Sequence, residues 1–160
     1  MEIRKATKED VSIITEIEAQ CFPKAEAATY EEFAERLAVY PEGFWLLFKN
    51  NQLIGFIDGM VTNEDAISDK MFVQATLHVP TGKYQSVFGL NVLPLYRKNG
   101  YGAKLMEALI ADARAKGRKG CILTCKKELI HYYSKFGYEN LGKSASVHGG
   151  AIWYDMILRF

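Results

Sequence analysis

The chain of 160 residues carries 20 Lys and Arg against 19 Asp and Glu, a balance that points to neither a nucleic-acid binder nor an acidic tail. At 49% hydrophobic residues it can build a sizeable core, and its length fits one domain spanning residues 1–160. No stretch approaches the roughly 18 apolar residues of a membrane span, the start Met1-Glu-Ile-Arg-Lys5 has no apolar leader, and Cys21, Cys121 and Cys125 are too few and odd in number for a disulfide framework, so a soluble cytoplasmic protein with free thiols is expected.

Residues 2–6 predict a first strand. Thr7 with Asp10 resembles a capping box, and Val11, Ile14, Ile17 and Cys21 repeat at three- and four-residue steps, predicting a helix that ends at Phe22-Pro23. Thr29 with Glu32 caps a second helix striped by Phe33, Leu37 and Tyr40 and closed by Pro41. The β-formers of Gly43–Phe48 and Leu53–Ile57 flank Asn50-Asn51, which predicts a hairpin. Residues 62–85 lack periodicity and read as a long connection with a short helix near Asp69, and long connections are often functional.

Ser86–Leu93 is a strand pattern interrupted by Gly89, where a bulge or a close approach is expected. A glycine-containing turn and a helix over about 102–116 follow, with Leu105, Leu109 and Ile110 inward and Gly117 as the stop. Strands near Cys121–Thr124, Tyr138–Leu141 and Ala151–Leu158, with a short helix over Glu128–Lys135, complete a mixed α/β pattern.

Charge is polarised along this order. Residues 1–80 hold 7 positive and 14 negative side chains, whereas residues 97–127 hold 9 and 2. Inside the basic stretch, Arg97-Lys-Asn-Gly100-Tyr-Gly102-Ala103 joins a strand to a helix. A glycine-rich turn at a helix N-terminus presents successive backbone N–H groups and a partial positive charge, a fit for an anionic diphosphate. The run comes late, lacks a third glycine and has no acid about twenty residues on, so it is not a dinucleotide fingerprint, and no Gly-Lys-Ser or Gly-Lys-Thr makes a Walker loop.

Arg97-x-x-Gly100-x-Gly102 after Leu90-Asn-Val-Leu-Pro94 resembles the signature by which the GNAT superfamily of N-acetyltransferases holds the pyrophosphate of acetyl-CoA. Tyr132-Tyr133-Ser-Lys-Phe-Gly-Tyr138 resembles the aromatic motif of that family's fourth helix, in family order and spacing. Glu9-Asp10, Glu16–Ala19 before Cys21-Phe22, Phe56-Ile57, Leu77-His78 and Cys125 ahead of Tyr133 are similar to the arylalkylamine (serotonin) N-acetyltransferases and their bacterial relatives. The resemblance implies the acyl-CoA N-acyltransferase fold: a twisted, mostly antiparallel central sheet with a parallel splayed pair and about four helices.

It also implies acetyl-CoA as co-substrate, a small-molecule primary amine as acceptor, direct attack in a ternary complex and no metal. A homodimer through the last strand is a habit of the family, and nucleic-acid or membrane partners are not implied. Backbone groups at Leu90, Asn91 and Val92 would pair with the pantetheine arm. Arg97, Lys98, Asn99, Gly100, Tyr101, Gly102 and Ala103 would wrap the pyrophosphate, Phe22 and Pro23 would line the amine pocket, and Tyr133 would protonate the departing thiolate, with Tyr132 as the alternative one register away.

The two histidines that arylalkylamine enzymes carry on the signature strand are replaced by Ser86 and Phe88. Water organised by Ser86 is therefore the expected proton acceptor, with His78 and His131 as the remaining imidazoles. An aromatic-lined pocket with Phe22 favours an arylalkylamine or similar hydrophobic amine, while Glu26 and Glu64-Asp65 could steer a cation and would also suit a polyamine. Acetylation of a protein or peptide amine, or a non-catalytic acetyl-CoA sensor, are the alternatives; an open groove beside Ser86 would favour the former.

Overall fold

A computed structural model describes residues 1–160 and places nine strands and five α-helices in the order β1 (Glu2–Lys5), α1 (Val11–Cys21), α2 (Tyr30–Val39), β2 (Phe44–Lys49), β3 (Gln52–Asp58), β4 (Val61–Thr62), α3 (Lys70–Val73), β5 (Tyr84–Val87), β6 (Gly89–Val92), α4 (Tyr101–Ala115), β7 (Gly120–Cys125), α5 (Ile130–Ser134), β8 (Glu139–Lys143) and β9 (Tyr154–Arg159). The strands form two sheets, β1-β2-β3-β6 and β4-β5-β7-β9-β8. Only β5 and β7 pair in parallel; every other pairing is antiparallel.

Local chemistry accounts for most elements. The Thr7 N–H donates to Asp10 Oδ2 at 2.8 Å, closing the turn that leads into α1. Thr29 and Glu32 cap each other's backbone at 3.2 and 2.9 Å and start α2. Asn50 and Asn51 both take positive φ, 52° and 62°, which is the backbone a tight hairpin needs and asparagine tolerates. The run Phe44–Leu47 is buried without alternation because β2 is an interior strand. Phe44 and Leu46 pack with Ile14, Ile17, Phe33 and Leu37 of α1 and α2, whereas Trp45 and Leu47 pack with Leu105, Met106 and Leu109 of α4.

The strand read from Ser86 to Leu93 is one extended stretch that changes sheets. Its first half, β5, pairs with β7, and its second half, β6, pairs with β3. The break falls at Phe88, one residue before the glycine expected to bulge, and the Phe88 N–H donates to the Asp58 carbonyl at 2.7 Å. Beyond Val87, β6 and β7 belong to different sheets and separate. That separation is the parallel splayed pair expected from the resemblance, and it opens a cleft.

The last strand begins at Tyr154 rather than Ala151 and lies between β7 and β8. Both of its edges are paired, so the last strand has no free edge for a second copy; the edge strands of that sheet are β4 and β8. No helix is long and apolar enough to cross a membrane.

Candidate active site

The turn before α4 is built by two glycines with different duties. Gly100 has φ +80°, a left-handed conformation that side chains rarely adopt, and nothing lies within 4 Å of where its Cβ would stand. At Gly102 a Cβ would approach the Tyr132 hydroxyl to 2.9 Å, so a side chain there would push that tip aside. Lys98 also takes positive φ, 65°, and Asn99 Nδ2 pins the turn by donating to the carbonyls of Tyr96 and Arg97 at 3.2 and 3.0 Å. The N–H groups from Lys98 to Ala103 have no backbone partner, so they are free to meet an anion at the positive end of a 15-residue helix. Lys98, Asn99 and Gly100 are exposed, and Tyr101, Gly102 and Ala103 are half-buried.

The turn feeds into the opening between β6 and β7. The Leu93 N–H donates to the Ile54 carbonyl on β3, so by the two-residue alternation Leu90 and Val92 turn their backbone groups toward the opening. The Val92 carbonyl accepts from Arg97 Nε at 2.9 Å, and the Leu90 and Val92 side chains pack against the core under α4. Asn91 is placed otherwise than expected. Its backbone faces β3, and its side chain is fully buried on the α1 side of the strand.

A cleft of about 260 Å³ lies where the sheets part, lined by the switch residues Val87 to Leu90, by Leu123 to Lys126 of β7 and its following turn, and by Tyr133. Phe22 and Pro23 from the α1–α2 loop form one wall. Opposite stand Phe72, His148 and Trp153, with Phe72 tilted against both Phe88 and His148 at centroid distances of 5.0 and 4.7 Å. The α1–α2 loop and residues 148–150 are tied together: His148 Nε2 donates to the Glu26 carbonyl at 2.8 Å, and Lys126 Nζ meets Glu26 Oε2 at 2.8 Å. Trp153 Nε1 holds the far segment by donating to the His148 carbonyl at 2.8 Å.

Tyr133 reaches the cleft from α5, 9% exposed, and burial raises its phenol above the ordinary tyrosine range, so the hydroxyl stays protonated and able to donate. Tyr132 stands edge-on to it at 5.2 Å but points to the Gly102 turn, which separates the two registers left open by the sequence. Cys125 also faces the cleft, and burial pushes its thiol up to about 11, so it offers no thiolate near neutral pH.

At the floor lies a polar cluster. Arg36 of α2 pairs with Asp58 of β3 at 3.0 Å and donates to the Phe72 carbonyl at 3.0 Å, both side chains being almost fully buried. Glu18 of α1 is 6% exposed, lines the cleft and accepts the Ala28 N–H at 2.9 Å. Burial, with the Asp58 charge second, pushes the Glu18 carboxyl up to about 7.

Ser86 is corrected by this geometry. It is fully buried, its Oγ donates to the Met60 carbonyl at 2.7 Å, and it does not line the cleft, because it points away from the opening one residue before the strand leaves β7. His78 is spent elsewhere: its Nδ1 accepts the Val61 N–H at 3.0 Å and its ring stacks on Tyr40. His131 is exposed on α5 and outside the cleft, as are Glu64 and Asp65. Glu18, Arg36, Phe72, His148 and Trp153 were not legible as site residues. The one available signal was the pair of acids in Glu16-Ile-Glu18, of which only Glu18 falls on the apolar stripe of α1 beside Ile14 and Ile17.

The Acetyltransferase (GNAT) family model matches residues 11–138, from the first turn of α1 to the end of the α5 aromatic motif. The chain belongs to the GNAT family of acetyltransferases. This GNAT enzyme is 24% identical to the serotonin N-acetyltransferase of Mesocricetus auratus over 97% of its own length and 75% of that protein's. Among solved structures it superposes on the GphF GNAT-like decarboxylase in complex with isobutyryl-CoA with TM-score 0.85, at 21% identity over 99% of each chain. It also superposes on the PaiA N-acetyltransferase of Thermoplasma acidophilum in complex with coenzyme A, with TM-score 0.72 at 16% identity over 99% of this chain and 98% of that one. The GNAT fold expected from the motifs is thus the fold observed.

Proposed function

We propose that the chain transfers an acetyl group from acetyl-CoA to the primary amine of a small, arylalkylamine-like molecule, by direct attack in a ternary complex. The observation that carries this reading is the aromatic cleft at the strand switch. It opens beside the β6 edge and the Gly100–Gly102 turn on one side and is roofed by the tied segments at Glu26 and His148 on the other.

The chain's own groups fit coenzyme A. The unpartnered N–H groups from Lys98 to Ala103, with Arg97 and Lys98 beside them, suit the pyrophosphate, and the missing side chain of Gly102 leaves the backbone open to close approach. The outward backbone groups of Leu90 and the Val92 N–H offer a strand edge on which the amide groups of a pantetheine arm can pair, the Val92 carbonyl being held by Arg97. Acetyl-CoA bound there would supply an acyl thioester at the mouth of the cleft.

Tyr133 is the proton donor for the leaving sulfur, because it is a protonated phenol facing the cleft. Direct attack is favoured over an acetylated cysteine, because Cys125 is held as a thiol. Phe22 and Pro23 together with Phe72, Phe88 and Trp153 suit an aromatic or otherwise apolar acceptor, and the roof over the cleft suits a small molecule better than a protein chain.

A thiol-release assay with acetyl-CoA against arylalkylamines, polyamines, amino acids and N-terminal peptides tests this. Turnover is expected with arylalkylamines above the other classes; preference for peptides would replace the reading with a protein acceptor, and binding of acetyl-CoA without turnover of any amine would replace it with a sensor.

A further inference from the structure

Buried polar atoms normally find a partner. Around Gly89 several do not: Glu18 Oε1, Asp58 Oδ1 and both side-chain polar atoms of Asn91 are enclosed and unpaired. They converge on one spot. A Cβ on Gly89 would stand 3.2 Å from Asn91 Nδ2, 3.3 Å from Glu18 Oε1 and 3.5 Å from Asp58 Oδ1. Gly89 and Glu18 line the cleft, and Asp58 and Asn91 stand behind them.

A purely structural duty for Glu18 would be to accept the Ala28 N–H, which Oε2 does at 2.9 Å. Glutamine could do that without placing a second charge beside Asp58. The nearest cation does not explain the charge either, since Arg36 is already committed to Asp58 and the Phe72 carbonyl. Arg36 and Asp58 together are neutral, so ionised Glu18 leaves one uncompensated negative charge under an aromatic cleft. A cation with an apolar body is what that environment lacks.

We propose that Glu18 receives the ammonium of the acceptor amine and takes its proton, with Asp58 and Asn91 as positioning residues behind it, an inference that rests on the amine-acetylating reading above. The terminal torsion of a glutamate is broad, so the carboxylate can turn its free oxygen to the cleft without moving α1. The groups facing it are Asp58 from β3, Arg36 from α2, Asn91 from β6, the Ala28 N–H and Cys21 one turn on, with Glu32 lining the same cleft. Burial and the Asp58 charge hold its proton affinity near neutral, where a base both accepts a proton from an alkylammonium and releases it to solvent.

The reaction balances as follows. The ammonium gives one proton to Glu18, the nitrogen lone pair forms the C–N bond at the thioester carbonyl, and the C–S bond breaks with its electron pair going to sulfur. Sulfur takes the Tyr133 hydroxyl proton, the second proton leaving nitrogen returns to Tyr133 through water, and Glu18 releases its proton to solvent, giving amide, free thiol and one proton.

The test compares wild type with Glu18→Gln in kcat/KM against pH, using phenethylamine and a weakly basic aromatic amine that is already neutral across the range. It is paired with ¹³C NMR of the Glu18 carboxyl in wild type without acetyl-CoA. The variant should lower kcat/KM for phenethylamine by about 10²- to 10⁴-fold, the usual worth of a general base. The aromatic amine should fall at least roughly tenfold less, since no proton need be removed before attack. The acidic limb near neutral pH should vanish in the variant. Added phenethylamine should shift the Glu18 resonance and lower its titration midpoint, because a cation favours the carboxylate.

Equal falls for both acceptors, an unchanged acidic limb, or a Glu18 resonance indifferent to phenethylamine would overturn the proposal. A wild type that binds phenethylamine at Glu18 but acetylates no amine would refute the transferase reading and support the ammonium site. Turnover unaltered in the variant would refute the base and leave the transferase.

Discussion

The Tyr132 hydroxyl oxygen lies 2.9 Å from where a Cβ on Gly102 would stand, so the aromatic helix α5 and the glycine turn of α4 meet at one point. Gly102→Ala should therefore act on ligand binding more than on stability. Alanine is favoured over glycine in a helix by about 1 kcal/mol, which offsets the displacement of one side-chain tip. The expected result is a several-fold rise in KM for acetyl-CoA with little change in Tm. Gly100→Ala should do the opposite in stability, since only conformation is at stake there: left-handed backbone costs an L residue about 1–2 kcal/mol. Thermal unfolding of both variants separates the two duties.

Tyr133→Phe removes a hydroxyl on which no protein hydrogen bond depends, so the fold should be preserved. If Tyr133 protonates the leaving thiolate, kcat should fall by about 10²- to 10⁴-fold with acetyl-CoA affinity unchanged by calorimetry. Because burial raises the phenol, wild type should show no alkaline loss of activity from this group in the ordinary assay range.

Trp153→Ala opens the aromatic wall and also removes the donor that holds the His148 carbonyl at 2.8 Å. KM for arylalkylamines should rise by about tenfold, roughly the worth of one aromatic contact. KM for a short aliphatic amine should change less. Steady-state kinetics with the two acceptors checks this.

Arg36→Met leaves Asp58 buried without its 3.0 Å partner. Breaking a buried ion pair from one side costs about 3–5 kcal/mol, enough to lower the urea midpoint sharply. Methionine packing cannot restore it, since the remaining carboxylate is the source of the cost.

Glu18 gives a stability prediction with a definite sign. Its folded-state affinity for a proton is raised to about 7, so the fold is favoured while the group is protonated, and that contribution is lost as pH rises from the unfolded carboxylate range through neutrality. Wild type should lose stability over that window relative to Glu18→Gln, by on the order of 1–3 kcal/mol in urea denaturation at mildly alkaline pH. A gain in stability from removing Glu18, alongside a loss of turnover, is the pattern of a residue kept for chemistry.

Local elements were legible because their causes are local. The reciprocal caps of Thr29 and Glu32, the Asn50-Asn51 turn and the Gly100 conformation each depend on neighbours within four residues, and all appear where the sequence places them. The family motif was legible for the same reason, since Arg97 to Ala103 form one turn and Tyr132 to Tyr138 the end of one short helix with the turn that follows it.

What the sequence could not settle was which side chains share a cavity. Ser86 and Phe88 look alike as strand positions. Only the transfer from β7 to β3 at Phe88 buries the serine against the Met60 carbonyl and puts the phenylalanine on the cleft. Glu18, Arg36, Asp58 and Asn91 come from four elements and lie up to 73 positions apart, and Trp153 sits just ahead of a strand inserted between two others. Short-range sterics and hydrogen bonds decide the helices, the turns and the glycine loop before α4, so those follow from the residues in order. The cleft at the strand switch and its buried acid follow only from the tertiary structure, because long-range strand pairing brings those groups together and burial then sets their charge.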